Sequence, residues 1–168
     1  MALAVSAAQA QPFPSVTAPA GSLVISPRAP KPVHSATGFV TGVSDGDTFY
    51  LVIDGQSTRV RLAQIDAPEK AQPFGRRAEQ ALRELVWKRQ VSVTWRQLDR
   101  YERPIVQVQV DGLDVNAELV RLGWAWVYTQ YATDRSLNAL EQEARRERRG
   151  LWADAHPIEP WEWRKEHK

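Results

Sequence analysis

Three short stretches carry residues whose types and spacing could do chemistry. Val43-Ser44-Asp45-Gly46-Asp47-Thr48 places two carboxylates around a glycine, and Arg61-Leu62-Ala63-Gln64-Ile65-Asp66-Ala67-Pro68-Glu69 places an arginine ahead of two acids. Asp99-Arg100-Tyr101-Glu102-Arg103 sets two arginines and a tyrosine in one polar turn. An Asp-Gly-Asp alone is commonly no more than a turn. In the second stretch Pro68 forces Ala67 into an extended conformation, which aims the Ala67 carbonyl and the Glu69 carboxylate toward a common point. Two aspartates, a backbone carbonyl and a nearby glutamate form a flexible all-oxygen shell, suited to Ca²⁺ far better than to zinc or copper. The guanidinium fork of Arg100 or Arg103 matches phosphate oxygens, and Tyr101 can hydrogen-bond a phosphate or stack on a base. Taken singly, each arginine is more commonly a solvated surface residue.

The elements that must position these groups are mostly strands. Gly38–Val43, Thr48–Ile53 and Ser57–Ile65 are rich in Val, Thr, Phe, Tyr and Leu, and Asp54-Gly55 is a hairpin signal between the last two. Asp47 and Asp66 then fall near opposite ends of one strand pair. Barrel coiling has to bring them together, and the register deciding this is not written in the sequence. Pro73 to about Lys88 reads as an amphipathic helix with Ala78, Leu82, Leu85 and Val86 on one side. Val91, Val93 and Trp95 alternate with polar residues, as do Val106, Val108 and Val110, giving two half-buried strands. Asp111-Gly112 leads into a short helix over Asn116–Leu122 with Asn116 as its N-cap, and a last helix runs from about Arg135 to Arg149 before Gly150. Five short strands interrupted by a helix suit a small closed barrel better than a parallel α/β sheet.

Composition narrows the classes. Of 168 residues, 43% are hydrophobic and 25% charged, which fits one domain with an ordinary core. No apolar run approaches the length of a membrane span. Cysteine is absent, which excludes disulfides and thiolate metal sites. His34, His156 and His167 all lie in tail-like stretches, so the chemistry must rest on carboxylates and arginines. Before Ala36 the only charged side chains are Arg28 and Lys31; removing them from 22 basic residues leaves 20 against 20 acidic ones. Any hold on a polyanion therefore comes from local patches or a metal. Met1–Ala10 ends in an A-x-A pattern that fits the end of a signal peptide without its basic start, so export is expected. Residues 1–35 thus read as a signal-like segment with a Pro- and Ala-rich linker, and residues 36–168 as the folded domain.

In order and spacing, V-x-D-G-D-T, R-L-x-x-I-D-A-P-E, D-R-Y-x-R, D-V-N-A-x-L-V-R-x-G and R-R-G-L-W resemble the staphylococcal nuclease (thermonuclease) family from about Ala36 to Trp163. The resemblance implies a five-stranded OB-fold β-barrel, mainly β with three packed helices, and calcium-dependent hydrolysis of DNA and RNA. Carried over by motif, Asp47 and Asp66 would ligate calcium through carboxylates and Ala67 through its carbonyl, a position where Thr is common in the family. Glu69 would orient or deprotonate the attacking water, and Arg61 and Arg103 would clamp the reacting phosphate. Arg100 and Tyr101 would hold the neighbouring phosphate, with Tyr128 near the base. The same resemblance implies a monomer that prefers single strands and leaves 3′-phosphate ends. One departure stands out: Glu102 occupies a position before Arg103 where the family commonly has Gly, so it could tether Arg103 or alter its turn. The competing expectation is a non-catalytic OB-fold module that binds nucleic acid or protein, to which clustered acids would bring nothing. Trp95, Trp124, Trp126 and Trp152 are expected in the core, Trp161 and Trp163 as pins for the C-terminal tail, and Arg145–Arg149 as a solvated helix face.

Overall fold

Strand β1 (His34–Asp45) is long enough to serve two neighbours, and that makes the barrel possible. The computed structural model describes residues 31–167, so the signal-like segment and most of the linker lie outside the described residues. The first half of β1 pairs with β5 (Gln90–Leu98), from His34 opposite Trp95 to Phe39 opposite Gln90. The second half pairs with β2 (Thr48–Ile53) through two register shifts, at Val40/Gly42 and Val43/Asp45. Bulges of this kind bend a strand and increase its twist. Just before the first shift, Gly38 packs closely on β2: an added Cβ would lie 2.7 Å from both Leu51 Cδ1 and the Val52 carbonyl oxygen.

From β2 the chain turns at Asp54-Gly55, both at positive φ, into β3 (Gln56–Leu62). The other edge is β6 (Pro104–Val110), antiparallel to β5. Parallel pairing of Arg61 with Ile105 and of Leu62 with Val106 closes β3-β2-β1-β5-β6 into a five-stranded barrel. Val40, Phe49, Leu51, Val60, Leu62, Val91, Val93, Val106 and Val108 fill it. Helices α1 (Gly75–Val86), α2 (Val115–Arg121) and α3 (Ser136–Arg146) pack on the outside. A fourth, α4 (Pro160–Glu166), adds to the three expected, and a single 3₁₀ turn covers Gly150–Ala153. Two short strands, β4 (Ile65–Asp66) and β8 (Trp126–Val127), form a separate ribbon, and β7 (Leu113–Asp114) extends β6.

Asn116 is not the N-cap of α2. Asp114 takes that role, its carboxylate accepting from the Ala117 amide. Asn116 is instead fully buried: its side-chain amide donates to the carbonyls of Ala63 and Val106 at 3.0 and 3.1 Å, and its oxygen accepts from the Val108 amide at 3.1 Å. One side chain thus ties α2 to both sides of the seam that closes the barrel. A buried amide left without its partner costs about 1–3 kcal/mol. Asn116→Leu, which orphans the Val108 N–H and strips two carbonyls of a donor, is expected to lower unfolding free energy by about 3 kcal/mol in urea titration.

Candidate active site

The hairpin of β2 and β3 brings the predicted acids to the same end of the strand pair, not to opposite ends. In an antiparallel hairpin the start of β2 lies beside the end of β3: Thr48 pairs with Arg61, and the Leu62 amide donates to the Asp47 carbonyl at 2.8 Å. Just beyond, the β4–β8 ribbon sets Asp66 opposite Trp126. Asp47 is 5% exposed and Asp66 has no exposed surface. One atom joins them: Arg61 Nη2 lies 3.0 Å from Asp47 Oδ2 and 2.6 Å from Asp66 Oδ1. Asp47 also accepts from the Thr48 hydroxyl at 2.8 Å and from the Ala67 amide at 3.3 Å. Burial pushes the Asp47 carboxyl above its ordinary value against the pull of Arg61, and does the same to Asp66 against Arg164 and Arg61. Buried acids of this kind keep their charge only while cations stand beside them.

Glu69 follows on a tight turn. The Gln72 amide donates to the Glu69 carbonyl at 2.8 Å, the Gln72 side chain accepts from the Glu69 amide, and it donates to the Ile158 carbonyl at 2.7 Å. The Glu69 carboxylate joins the cluster through a residue that the sequence did not single out. Arg164, on α4, places Nη2 2.6 Å from Asp66 Oδ2 and Nη1 2.7 Å from Glu69 Oε1. Its guanidinium is held firmly charged by these two acids, although burial works against the charge. Only the pattern Glu-Trp-Arg-Lys on a tail rich in tryptophan hinted at it, and nothing local in that pattern points toward Asp66.

The second group of predicted residues stands apart. Arg103 immediately precedes β6, two residues before Ile105, the register partner of Arg61, so both arginines belong to the outer side of the closing seam. Its tether is Asp99 rather than Glu102: Asp99 Oδ2 accepts from Arg103 Nε at 2.7 Å, and Asp99 Oδ1 accepts from the amides of Tyr101 and Arg103. Glu102 has φ 61°, the left-handed region that glycine enters without strain. The turn is nonetheless formed with Glu, the Arg103 amide donating to Asp99 Oδ1 and the Glu102 amide to the Asp99 carbonyl. Tyr101 is 69% exposed, with the guanidiniums of Arg100 and Arg103 within 6 Å of its ring centre, at 5.8 and 5.4 Å. Tyr128 follows β8, its amide donating to the Gln64 carbonyl, and its ring lies under Trp161.

Around the ribbon a second apolar cluster of Trp126, Ala144, Leu151 and Trp152 packs with Phe74 and Trp161, in accord with the pinning role expected of Trp161. Trp95 and Trp124 are partly buried against the barrel core. Arg145 lies over the Trp126 and Trp152 rings, and Arg149 pairs with Glu143, so these two members of the basic run have structural partners.

Among the described residues, no group of three His, Cys, Asp or Glu side chains is spaced to cage a metal by itself. The donor types nonetheless fit a hard cation: two convergent, desolvated carboxylates, each already facing a positive charge, with the Ala67 carbonyl next in sequence after Asp66. A divalent ion there would complete its shell with water.

Residues 59–154 match the family model described as "Staphylococcal nuclease homologue". A protein of Escherichia coli O157:H7 described as an uncharacterized endonuclease is 48% identical over 128 residues, which is 76% of this chain and 84% of that protein. A micrococcal nuclease of Shigella flexneri is 42% identical over 142 residues, 78% of this chain and 82% of that protein. The probable staphylococcal-like nuclease CAN1 of Oryza sativa subsp. japonica is 39% identical over 110 residues, 66% of this chain and 33% of that protein.

Gly46 explains how Asp47 stays so close to the Ala67 loop. An added Cβ would sit 2.7 Å from the Cβ atoms of both Ala67 and Ala78, between the acid turn and α1. Gly46→Ala is expected to cost about 1–3 kcal/mol of stability by overpacking, read as a lowered Tm.

Proposed function

The chain belongs to the staphylococcal nuclease homologue family, and from that premise we propose that it is a calcium-dependent nuclease hydrolysing phosphodiester bonds of DNA and RNA. The observation that carries the reading is the convergence of Asp47 and Asp66 on Arg61, with Glu69 joined to Asp66 through Arg164, at one end of the barrel. Asp47 and Asp66 would hold the cation through their carboxylates and Ala67 through its carbonyl, and when bound the ion supplies neutralisation of phosphate charge. Glu69, the most exposed of the three acids, takes the proton of a water whose oxygen attacks phosphorus. The P–O5′ bond breaks in line, the departing oxygen is protonated from solvent, and the product carries a 3′-phosphate. Arg61 faces the charge that builds on the non-bridging oxygens, and Arg103 reaches the same phosphate from the seam. Arg100 and Tyr101, exposed on their turn, suit the neighbouring phosphate, and Tyr128 suits a base taken out of its stack, so single strands are the preferred substrate. No partner chain is needed for any of these contacts, which fits action as a monomer.

The binding-module reading makes the opposite forecast in one assay. Heat-denatured DNA is expected to be degraded by the purified chain in millimolar calcium and spared in excess chelator. Tight binding without cleavage in calcium would instead favour the module. Glu69→Gln is expected to lower turnover about 10²- to 10⁴-fold while the melting curve stays in place. Asp99→Ala, which unties Arg103, is expected to lower kcat/KM about tenfold or more through misplacement of that guanidinium.

A further inference from the structure

Helix α4 has no role in the reaction outlined above, yet its side chains occupy the places that the reaction requires. Arg164 Nη1 lies 3.2 Å from Asp66 Oδ1 and 2.7 Å from Glu69 Oε1, and Nη2 lies 2.6 Å from Asp66 Oδ2. One guanidinium therefore spans the acid assigned to the cation and the acid assigned to water. Trp161 comes three residues earlier, on the same side of the helix. Its ring lies parallel to that of Tyr128, at an interplanar angle of 3° and a centroid distance of 5.2 Å. In each case the occupant is the same in kind as the expected ligand. A positive charge stands at the carboxylates, and a flat aromatic system covers the ring on which a base would stack.

We propose that α4 is an internal competitor for the active site: Arg164 takes the place of the cation, Trp161 takes the place of a base, and binding of calcium and single-stranded nucleic acid releases the helix. The inference rests on the calcium-nuclease reading above and adds a regulatory step to it.

The attachment of α4 is of a kind that can open. The helix has seven residues, no side-chain cap at Glu159, and one buried residue, Pro160. It follows a stretch, Asp154–Ile158, in which every residue except Pro157 is exposed. Beyond Arg164 and Trp161, the hydrogen bond from the Gln72 side chain to the Ile158 carbonyl joins it to the Glu69 turn. None of the barrel core residues lies in α4, whose apolar hold is Trp161 against the smaller cluster of Trp126, Ala144, Leu151 and Trp152, so the helix can leave with the five strands still packed. Short, half-buried elements with few apolar contacts are those that open at low free energy. The Arg164–Glu69 pair is partly exposed on both sides, at 36% and 40%, so a divalent ion can begin to compete there, and departure of Arg164 would open the buried oxygens of Asp66.

Two measurements on the full chain test the proposal together. In the first, Arg164→Gln and Arg164→Lys are titrated with Ca²⁺ by calorimetry and assayed for digestion of denatured DNA. A latch closed about nine-tenths of the time raises the apparent Kd about tenfold, so the Gln variant is expected to bind Ca²⁺ about tenfold more tightly than the native chain. It should also need correspondingly less calcium for half-maximal digestion, and the Lys variant, which keeps the charge, is expected to stay near native. In the second, hydrogen exchange of the α4 amides in the native chain is expected to speed up when Ca²⁺ is added, while the barrel strands stay protected. Unchanged α4 protection, or a Gln variant that binds Ca²⁺ no tighter or more weakly, would overturn the latch and leave the nuclease reading standing wherever digestion persists. Absence of Ca²⁺ binding and digestion in native chain and variants alike would remove the calcium reading, and the latch with it.

Discussion

A carboxylate with no exposed surface cannot be left alone, and Asp66 is such a group. Removing a charge from water is tolerated only when opposite charge and hydrogen bonds replace the lost hydration. At Asp66 both oxygens are engaged, one by Arg61 and Arg164 and the other by Arg164. The cost of burying this acid is thus met by two side chains far apart in sequence, one on the closing strand of the barrel and one on the last helix. Asp47 joins through the same Arg61 atom. These pairs link three segments, the β3 end, the Asp66–Glu69 stretch and α4, through one buried acid.

The acids and the cations are held in different ways. Asp47 follows a turn wedged between Ala67 and Ala78, and Asp66 belongs to a ribbon paired with Trp126, beside a seam locked by Asn116. These positions are fixed by packing and backbone pairing. The cations are held by side-chain contacts instead. Arg103 stands apart on a turn organised by Asp99, and Arg164 reaches the acids from a short helix with a mostly exposed approach. Where acids and substrate phosphates draw on the same guanidiniums, binding of an anion competes with these internal pairs.

How much of this could be read from the chain depends on whether the signal was local. The hairpin at Asp54-Gly55, the alternating valines of β5 and β6 and the amphipathic face of α1 are local patterns, and they predicted the barrel and its main helices. Where a residue's role depends on a distant partner, local pattern misled. Asn116 has the chemistry of an N-cap and stands near a helix start, but its hydrogen bonds reach Ala63 and Val106, and Asp114 caps the helix. Glu102 next to Arg103 invited an ion pair, whereas its backbone at φ 61° leaves Asp99 to organise the turn. The nearness of Asp47 to Asp66 follows from a register the sequence does not contain: Thr48 pairs with Arg61, so the start of β2 and the end of β3 lie side by side. Arg164 was invisible, since its partners lie 95 and 98 residues away.

That distance bears on what the site is. Three acids, Asp47, Asp66 and Glu69, face two guanidiniums, Arg61 and Arg164, so the cluster is one positive charge short of balance within the chain itself. A site left slightly negative when filled by its own side chains attracts a cation more readily than a phosphate. Were Arg164 to leave, the deficit would deepen to two charges, the amount a divalent ion carries. Arg61 would then remain with the acids, while Arg103 stays tied to Asp99. On electrostatic grounds the proposed latch would then work in one order: a cation would enter as Arg164 departs, and the neutralised site would accept the anionic strand.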